Sequence, residues 1–119
     1  MGLDMGLVKR PKFGEEVMYW RKANQIRAWF ADNLENFHDN GETEVTKEKL
    51  EELLQLVKDT LANRDMASEW LPTSSGFFFG STEYDEYYWE DLKHTEEALE
   101  EILQETDWEN ETITYWEWY

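Results

Sequence analysis

Leu50, Leu53, Leu54, Val57 and Leu61 recur at steps of three and four residues, which places all five on one side of a helix. Such a helix cannot bury its apolar stripe alone, so the chain must supply a second layer for it to pack against. The start of the helix is marked by Thr46, a good N-cap, and by Glu48, Glu51 and Glu52 near the positive end of the helix dipole. The chain has 119 residues and no cysteine, so neither a disulfide framework nor a thiolate site contributes, and stability must come from packing. One domain spanning residues 1–119, with one core, is expected.

The remaining elements follow from the same kind of pattern. Tyr19, Ala23, Ile26 and Phe30 step by four, three and four, predicting a first helix from Glu15 to about Leu34. Tyr88, Leu92, Thr95, Leu99 and Ile102 predict a third helix from about Tyr84 to Gln104. Between the first two helices, "NFHDNGETEV" reads as a polar connection with Gly41 at its turn. "GLDMGLV" near the start and the alternating "TITYWEWY" at the end read as strands, and Phe77 to Phe79, between Gly76 and Gly80, as a short strand or tight core-lining loop. The expected class is α+β, with about three helices and a small sheet formed by the terminal strands and the FFFG segment.

Charge narrows the partners. The chain carries 28 acids against 11 bases, a net charge of -17. Residues 1–34 hold six bases and four acids, residues 35–82 four and ten, and residues 83–119 only Lys93 against fourteen acids. A surface of this sign disfavours free nucleic acid, whose affinity comes largely from basic side chains, and favours a basic protein surface. Seven Trp, six Tyr and six Phe supply core material that a disordered acidic chain lacks. "MGLDMGLVKRPKF" has no apolar stretch of the about 7 to 15 residues that a signal peptide needs, and no membrane-spanning run follows, so an intracellular protein without membrane contact is expected.

Three segments together resemble a known group. "MGLDM" at the start, "YWRKANQIRAWF" at residues 19–30 and "LPTSSGFFFGSTEYDEYYWEDL" at residues 71–92 are similar, in order, to small acidic proteins encoded by bacteriophages and prophages. The resemblance implies a phage origin and expression in the cytoplasm of a bacterial host. It implies no defined chemistry.

Two constellations point to function. The first is the acidic face of the third helix, where Glu90, Asp91, Glu97, Glu100, Glu101 and Glu105 line a rod about 30 Å long at about 1.5 Å rise per residue. Like charges four residues apart cost stability, so such a row suits a surface that imitates the phosphates of a nucleic acid. With Trp89, Trp116 and Trp118 as ring anchors, it fits a phage-type inhibitor of a host defence nuclease, of the anti-CRISPR or anti-restriction kind, or of another basic nucleic-acid-binding host protein. The plainer reading is a face that keeps the chain soluble.

The second constellation lies in the segments that carry the resemblance. Arg21, Lys22 and Asn24 suit an anion, Trp20 and Phe78 would wall it, and Asp85 would supply acid or base function, in a pocket between the first helix and the FFFG loop. This is the pattern of a domain binding a small ligand or nucleotide. Its plainer reading pairs Arg21 and Lys22 with the abundant acids, has Asn24 cap or bridge, and uses Ser81 or Thr82 to cap the third helix. His38 and His94 lie on different elements, and no P-loop, G-x-G-x-x-G or G-x-S-x-G motif occurs, so no catalytic residue, cofactor or metal is assigned. An exposed aromatic end strand would also invite pairing with a second copy, giving a homodimer.

Overall fold

A computed structural model describes residues 2–11, 14–76 and 79–119. Four strands form one antiparallel sheet in the order β2-β1-β4-β3, built from β1 (Asp4–Arg10), β2 (Glu15–Arg21), β3 (Glu42–Val45) and β4 (Thr112–Trp118). The two ends of the chain thus meet at the centre of the sheet, with Gly6 opposite Trp116 and Leu7 opposite Tyr115. The helices are α1 (Asn24–Asn33), α2 (Lys47–Ala62), the single turn α3 (Ala67–Trp70), preceded by a 3-10 turn at Arg64–Met66, and α4 (Glu86–Glu105). The class is α+β as expected, with four helices where about three were anticipated.

Side-chain alternation gives the sheet two unlike faces. Met5 and Leu7 of β1, Trp20 of β2, Val45 of β3, and Ile113 and Tyr115 of β4 point to one face and are buried beneath the helices. Phe30 of α1 stacks on Tyr115 with ring centroids 4.2 Å apart. Tyr88, Leu92, Leu99 and Ile102 of α4 join Leu50, Leu53 and Val57 of α2 in the same core, and Trp20 Nε1 donates to Thr95 Oγ1 at 2.8 Å, locking β2 to α4. On the other face Tyr19, Trp116 and Trp118 lie uncovered by any helix, and Arg10 reaches across β4 to Glu42 at 2.7 Å.

Three expectations need correction. Residues 15–21 form β2 and not the start of a helix: Met18 and Trp20 turn inward opposite Leu7 and Met5, and pairing with the edge of β1 outweighs the helical row that Tyr19 had suggested. Glu42–Val45 is a strand and not a plain connection, with Thr43 and Val45 facing the core. Phe79 belongs to no strand, and Phe77 and Phe78 lie outside the described residues. By contrast α2 begins where Thr46 indicated, its hydroxyl accepting from Lys49 N at 3.2 Å. At α4 the cap is Asp85, not Ser81 or Thr82, and it accepts from Tyr87 N and Tyr88 N at 3.1 and 3.3 Å.

Gly6 is where the two central strands and the open face depend on one missing side chain. A Cβ there would stand 2.5 Å from Trp116 Nε1 and 2.6 Å from the Met18 carbonyl oxygen. Trp116 can swing away but the backbone of β2 cannot. Gly6→Ala is therefore expected to lower stability by about 1–3 kcal/mol in urea unfolding, the usual cost of overpacking.

Candidate functional site

The chain turns from β2 into α1 within two residues. Lys22 adopts φ 59°, a left-handed conformation uncommon for a side-chain-bearing residue, and its N–H donates to the Leu3 carbonyl at 2.7 Å. The turn brings Asn24 into the interior as the first residue of α1. There Asn24 Nδ2 donates to the carbonyls of Phe79 at 3.0 Å and Ser81 at 2.8 Å, while its Oδ1 accepts from Ser74 N at 2.9 Å. One side chain thus ties Ser74 and the stretch from Phe79 to Ser81 onto the start of α1. Gly80, at φ 89°, runs so close that a Cβ would lie 2.9 Å from Lys22 Cβ.

Between this turn, the segment it holds and the first turns of α4 lies a cleft of about 290 Å³. Arg21, Lys22 and Gln25 line one side, and Ser81, Glu83, Asp85, Tyr87, Tyr88 and Asp91 face them. Lys22 makes no ion pair among the described residues, and Arg21 reaches Asp4 only at 3.8 Å. Burial pushes the Asp91 carboxyl up to about 6, and the charges of Glu90 and Asp85 add to the rise while Gln25 and His94 oppose it. Gln25 itself is 3% exposed, and its Nε2 lies close enough to Asp91 to temper that rise yet has no partner in hydrogen-bond geometry among the described residues. Tyr88 is fully used, its hydroxyl donating to the Leu71 carbonyl at 2.6 Å.

Of the residues expected around an anion, Arg21, Lys22 and Asp85 do line this cleft. Asn24 stands beneath it as a support, and Trp20 is buried in the core and bonded to Thr95. Phe78 lies outside the described residues. Asp85 caps α4, so its carboxylate is already engaged by two backbone N–H groups. Gln25 was not anticipated, and Asp91, expected on the solvent face of α4, is half-buried in the cleft wall.

The residues expected to grip a basic partner are not brought onto one surface. Glu90, Glu97, Glu100, Glu101 and Glu105 are exposed along α4, with Glu100 paired to Lys58 of α2 at 3.1 Å. Trp89 is half-buried, with the Arg64 guanidinium 4.6 Å over its ring. Trp116 and Trp118 lie on the face of the sheet turned away from α4.

A second buried polar cluster is closed. Arg27 of α1 holds both carboxylate oxygens of the buried Glu117, at 3.0 and 3.1 Å, while Tyr115 Oη and Asn40 N also donate to Glu117 at 2.9 Å each. The rings of Phe37, Phe79 and Tyr119 surround the guanidinium at 5.0 to 5.6 Å. Every strong donor and acceptor there has a partner, which is the condition for tolerating a buried pair. A larger depression of about 430 Å³, between the end of α1 and β3, is lined by exposed polar groups such as Glu35, His38 and Glu42 and contains no buried unpaired atom. Among the described residues no group of three or more His, Asp or Glu side chains is placed to hold a metal, and no helix is long and apolar enough to cross a membrane.

Comparison of the chain with family models, with curated proteins and with solved structures found no match.

Removing the support tests the architecture of the cleft. Asn24→Ala leaves two carbonyls and one N–H without partners, and is expected to lower stability by about 2 kcal/mol and to open residues 74–81 to limited proteolysis. The carboxyl of Asp91 has a pH signature. Its folded value of about 6 lies above the ordinary carboxylate value of about 3.9, so the native state binds the extra proton between them, and the group destabilises the fold as it ionises. Asp91→Asn should therefore melt higher than the parent chain above pH ~6, with the gain vanishing as pH falls toward ~4, in thermal melts taken across that range.

Proposed function

We propose that this chain is a small-ligand-binding domain whose site is the cleft between the β2–α1 corner and the segment held by Asn24. What carries this reading is the gathering, in one concavity, of the Lys22 ammonium, which makes no ion pair among the described residues, the buried Gln25 carboxamide, whose Nε2 has no partner in hydrogen-bond geometry among them, and the desolvated Asp91 carboxyl. Buried polar groups are normally satisfied, and isolated exceptions inside a cleft mark places where a ligand completes the bonding. Arg21 and Lys22 offer charge to an anionic group, and Gln25 and Asp91 form the deeper wall. The volume is at the low end of small-molecule sites. The segments that build the cleft are also those that resemble small phage-encoded proteins, which suits a role in the cytoplasm of a bacterial host.

A second reading rests on a separate observation, the exposed row of Glu90, Glu97, Glu101 and Glu105 along α4. Under it the chain inhibits a host defence nuclease, or another basic nucleic-acid-binding protein, by presenting carboxylates where phosphates would sit. Of the rings that would anchor that surface, Trp89 is half-buried under the Arg64 guanidinium and Trp116 and Trp118 lie on the far face of the sheet, so charge would carry most of the contact and added salt would abolish it.

The two readings separate in a thermal-shift survey with a panel of small charged metabolites at millimolar concentration. At least one ligand is expected to raise the melting temperature of the parent chain by several degrees and to leave Arg21→Ala unmoved. A panel without effect on either protein removes the cleft reading.

A further inference from the structure

The cleft is lined by groups of both signs, and together they define the class of molecule it takes. Two of them are cations: Lys22 makes no ion pair among the described residues, and Arg21 reaches Asp4 only at 3.8 Å. Asp91, Glu83 and Asp85 line it as well, so its carboxylates outnumber its cations. Gln25, three residues on from Lys22 and beside Asp91, is buried, and its Nε2 has no partner in hydrogen-bond geometry among the described residues.

A purely anionic ligand such as a phosphate ester would satisfy the cations but bring its charge against Glu83 and Asp91, inside a protein of net charge -17. A purely cationic one would leave Gln25 Nε2 without an acceptor and set its charge against Lys22. A metal ion finds no cluster of ligands among the described residues. A molecule carrying an ammonium and a carboxylate a few bonds apart meets every requirement at once. Its ammonium donates to Asp91, its carboxylate accepts from Gln25 Nε2 and is neutralised by Arg21 and Lys22, and its net charge suits an acidic protein.

We infer that the cleft binds a zwitterion of the amino-acid class, with Asp91 taking the ammonium, Gln25 and the Arg21–Lys22 pair taking the carboxylate, and the side chain lying toward Tyr87 at the open rim. This deepens the ligand-binding reading and rests on it. About 290 Å³ leaves room for a substantial side chain beyond the two charged groups.

The test uses calorimetry and thermal melts of the full chain with L-arginine, L-leucine and L-phenylalanine, three side-chain classes. For whichever binds best, the N-acetyl derivative, which lacks the ammonium, and the carboxamide, which lacks the carboxylate, follow. Guanosine monophosphate and orthophosphate serve as anionic comparisons. At least one free amino acid is expected to raise the melting temperature by several degrees, and each derivative is expected to bind about tenfold more weakly or worse. Asp91→Asn should remove the preference for the free ammonium, and Gln25→Glu, which keeps the shape of the side chain while replacing its donor, should weaken the free amino acid by a similar factor. Circular dichroism of both variants checks that they remain folded. If guanosine monophosphate or orthophosphate stabilises the chain and no amino acid does, the zwitterion is overturned and the ligand-binding cleft stands. Tight binding of the N-acetyl derivative or the carboxamide also overturns it. If nothing in the set or in the wider metabolite panel binds, both conclusions fall.

Discussion

The cleft exists because of one buried carboxamide. Asn24 uses both faces of its amide on backbone groups, giving two hydrogen bonds to carbonyls and taking one from an N–H, and the three partners lie 50 to 57 residues further along the chain. The described stretches that hold them, residues 74–76 and 79–81, belong to no helix or strand, and the second would otherwise leave its groups to water. Held in this way, it runs past Lys22 at a distance that only a glycine permits at position 80, and carries Glu83 and the Asp85 cap to the opposite wall. Carboxamide, left-handed lysine and glycine act together: loss of any one changes the spacing between the cations and Asp91.

The sheet imposes a different constraint on the acidic helix. Because β4 alternates, burying Ile113, Tyr115 and Glu117 under the helices forces Trp116 and Trp118 to the far side, beyond reach of anything that touches α4. A single binding surface cannot join that carboxylate row to those rings without wrapping the molecule. The open sheet face, with Tyr19 tilted against Trp116 at 6.3 Å, is therefore a separate aromatic surface and not an extension of the acidic one.

What the sequence disclosed depended on how local each determinant was. The helix α2 was legible because its cap and its stripe are properties of sixteen adjacent residues. The strand β2 was not, because Met18 and Trp20 are strand-like only once β1 lies beside them, and Tyr19 happened to fall in step with the row that continues through Ala23, Ile26 and Phe30. At the site, Arg21, Lys22 and Asp85 were legible as charged groups flanking a glycine-bounded loop. Asp91 was misplaced although a signal was present: it follows Tyr88 by three residues and precedes Thr95 by four, which is the spacing of the buried row and not of the solvent face. Gln25 left no signal, since Ala23, Asn24 and Ile26 around it are all buried and the periodicity is lost at the start of α1.

The cleft differs in kind from the other buried polar cluster in the same protein. Around Glu117 the chain supplies a guanidinium, a phenol and a backbone N–H, and it encloses the guanidinium in three rings, so that the buried carboxylate is fully partnered. On α4, by contrast, Asp91 makes no ion pair with Lys or Arg among the described residues, burial raises its proton affinity against the opposing influence of Gln25 and His94, and Gln25 Nε2 beside it has no partner in hydrogen-bond geometry. A fold that can satisfy one buried carboxylate so completely is not short of means to satisfy a second. Leaving Asp91 and Gln25 open costs stability at neutral pH, as unpaired buried groups do, and a bound molecule that supplied an opposite charge and an acceptor would offset that cost. The two clusters should therefore respond oppositely to neutral replacements: uncharging Glu117 leaves Arg27 only the exposed Asp39 as a charged partner and weakens the fold, whereas uncharging Asp91 relieves it.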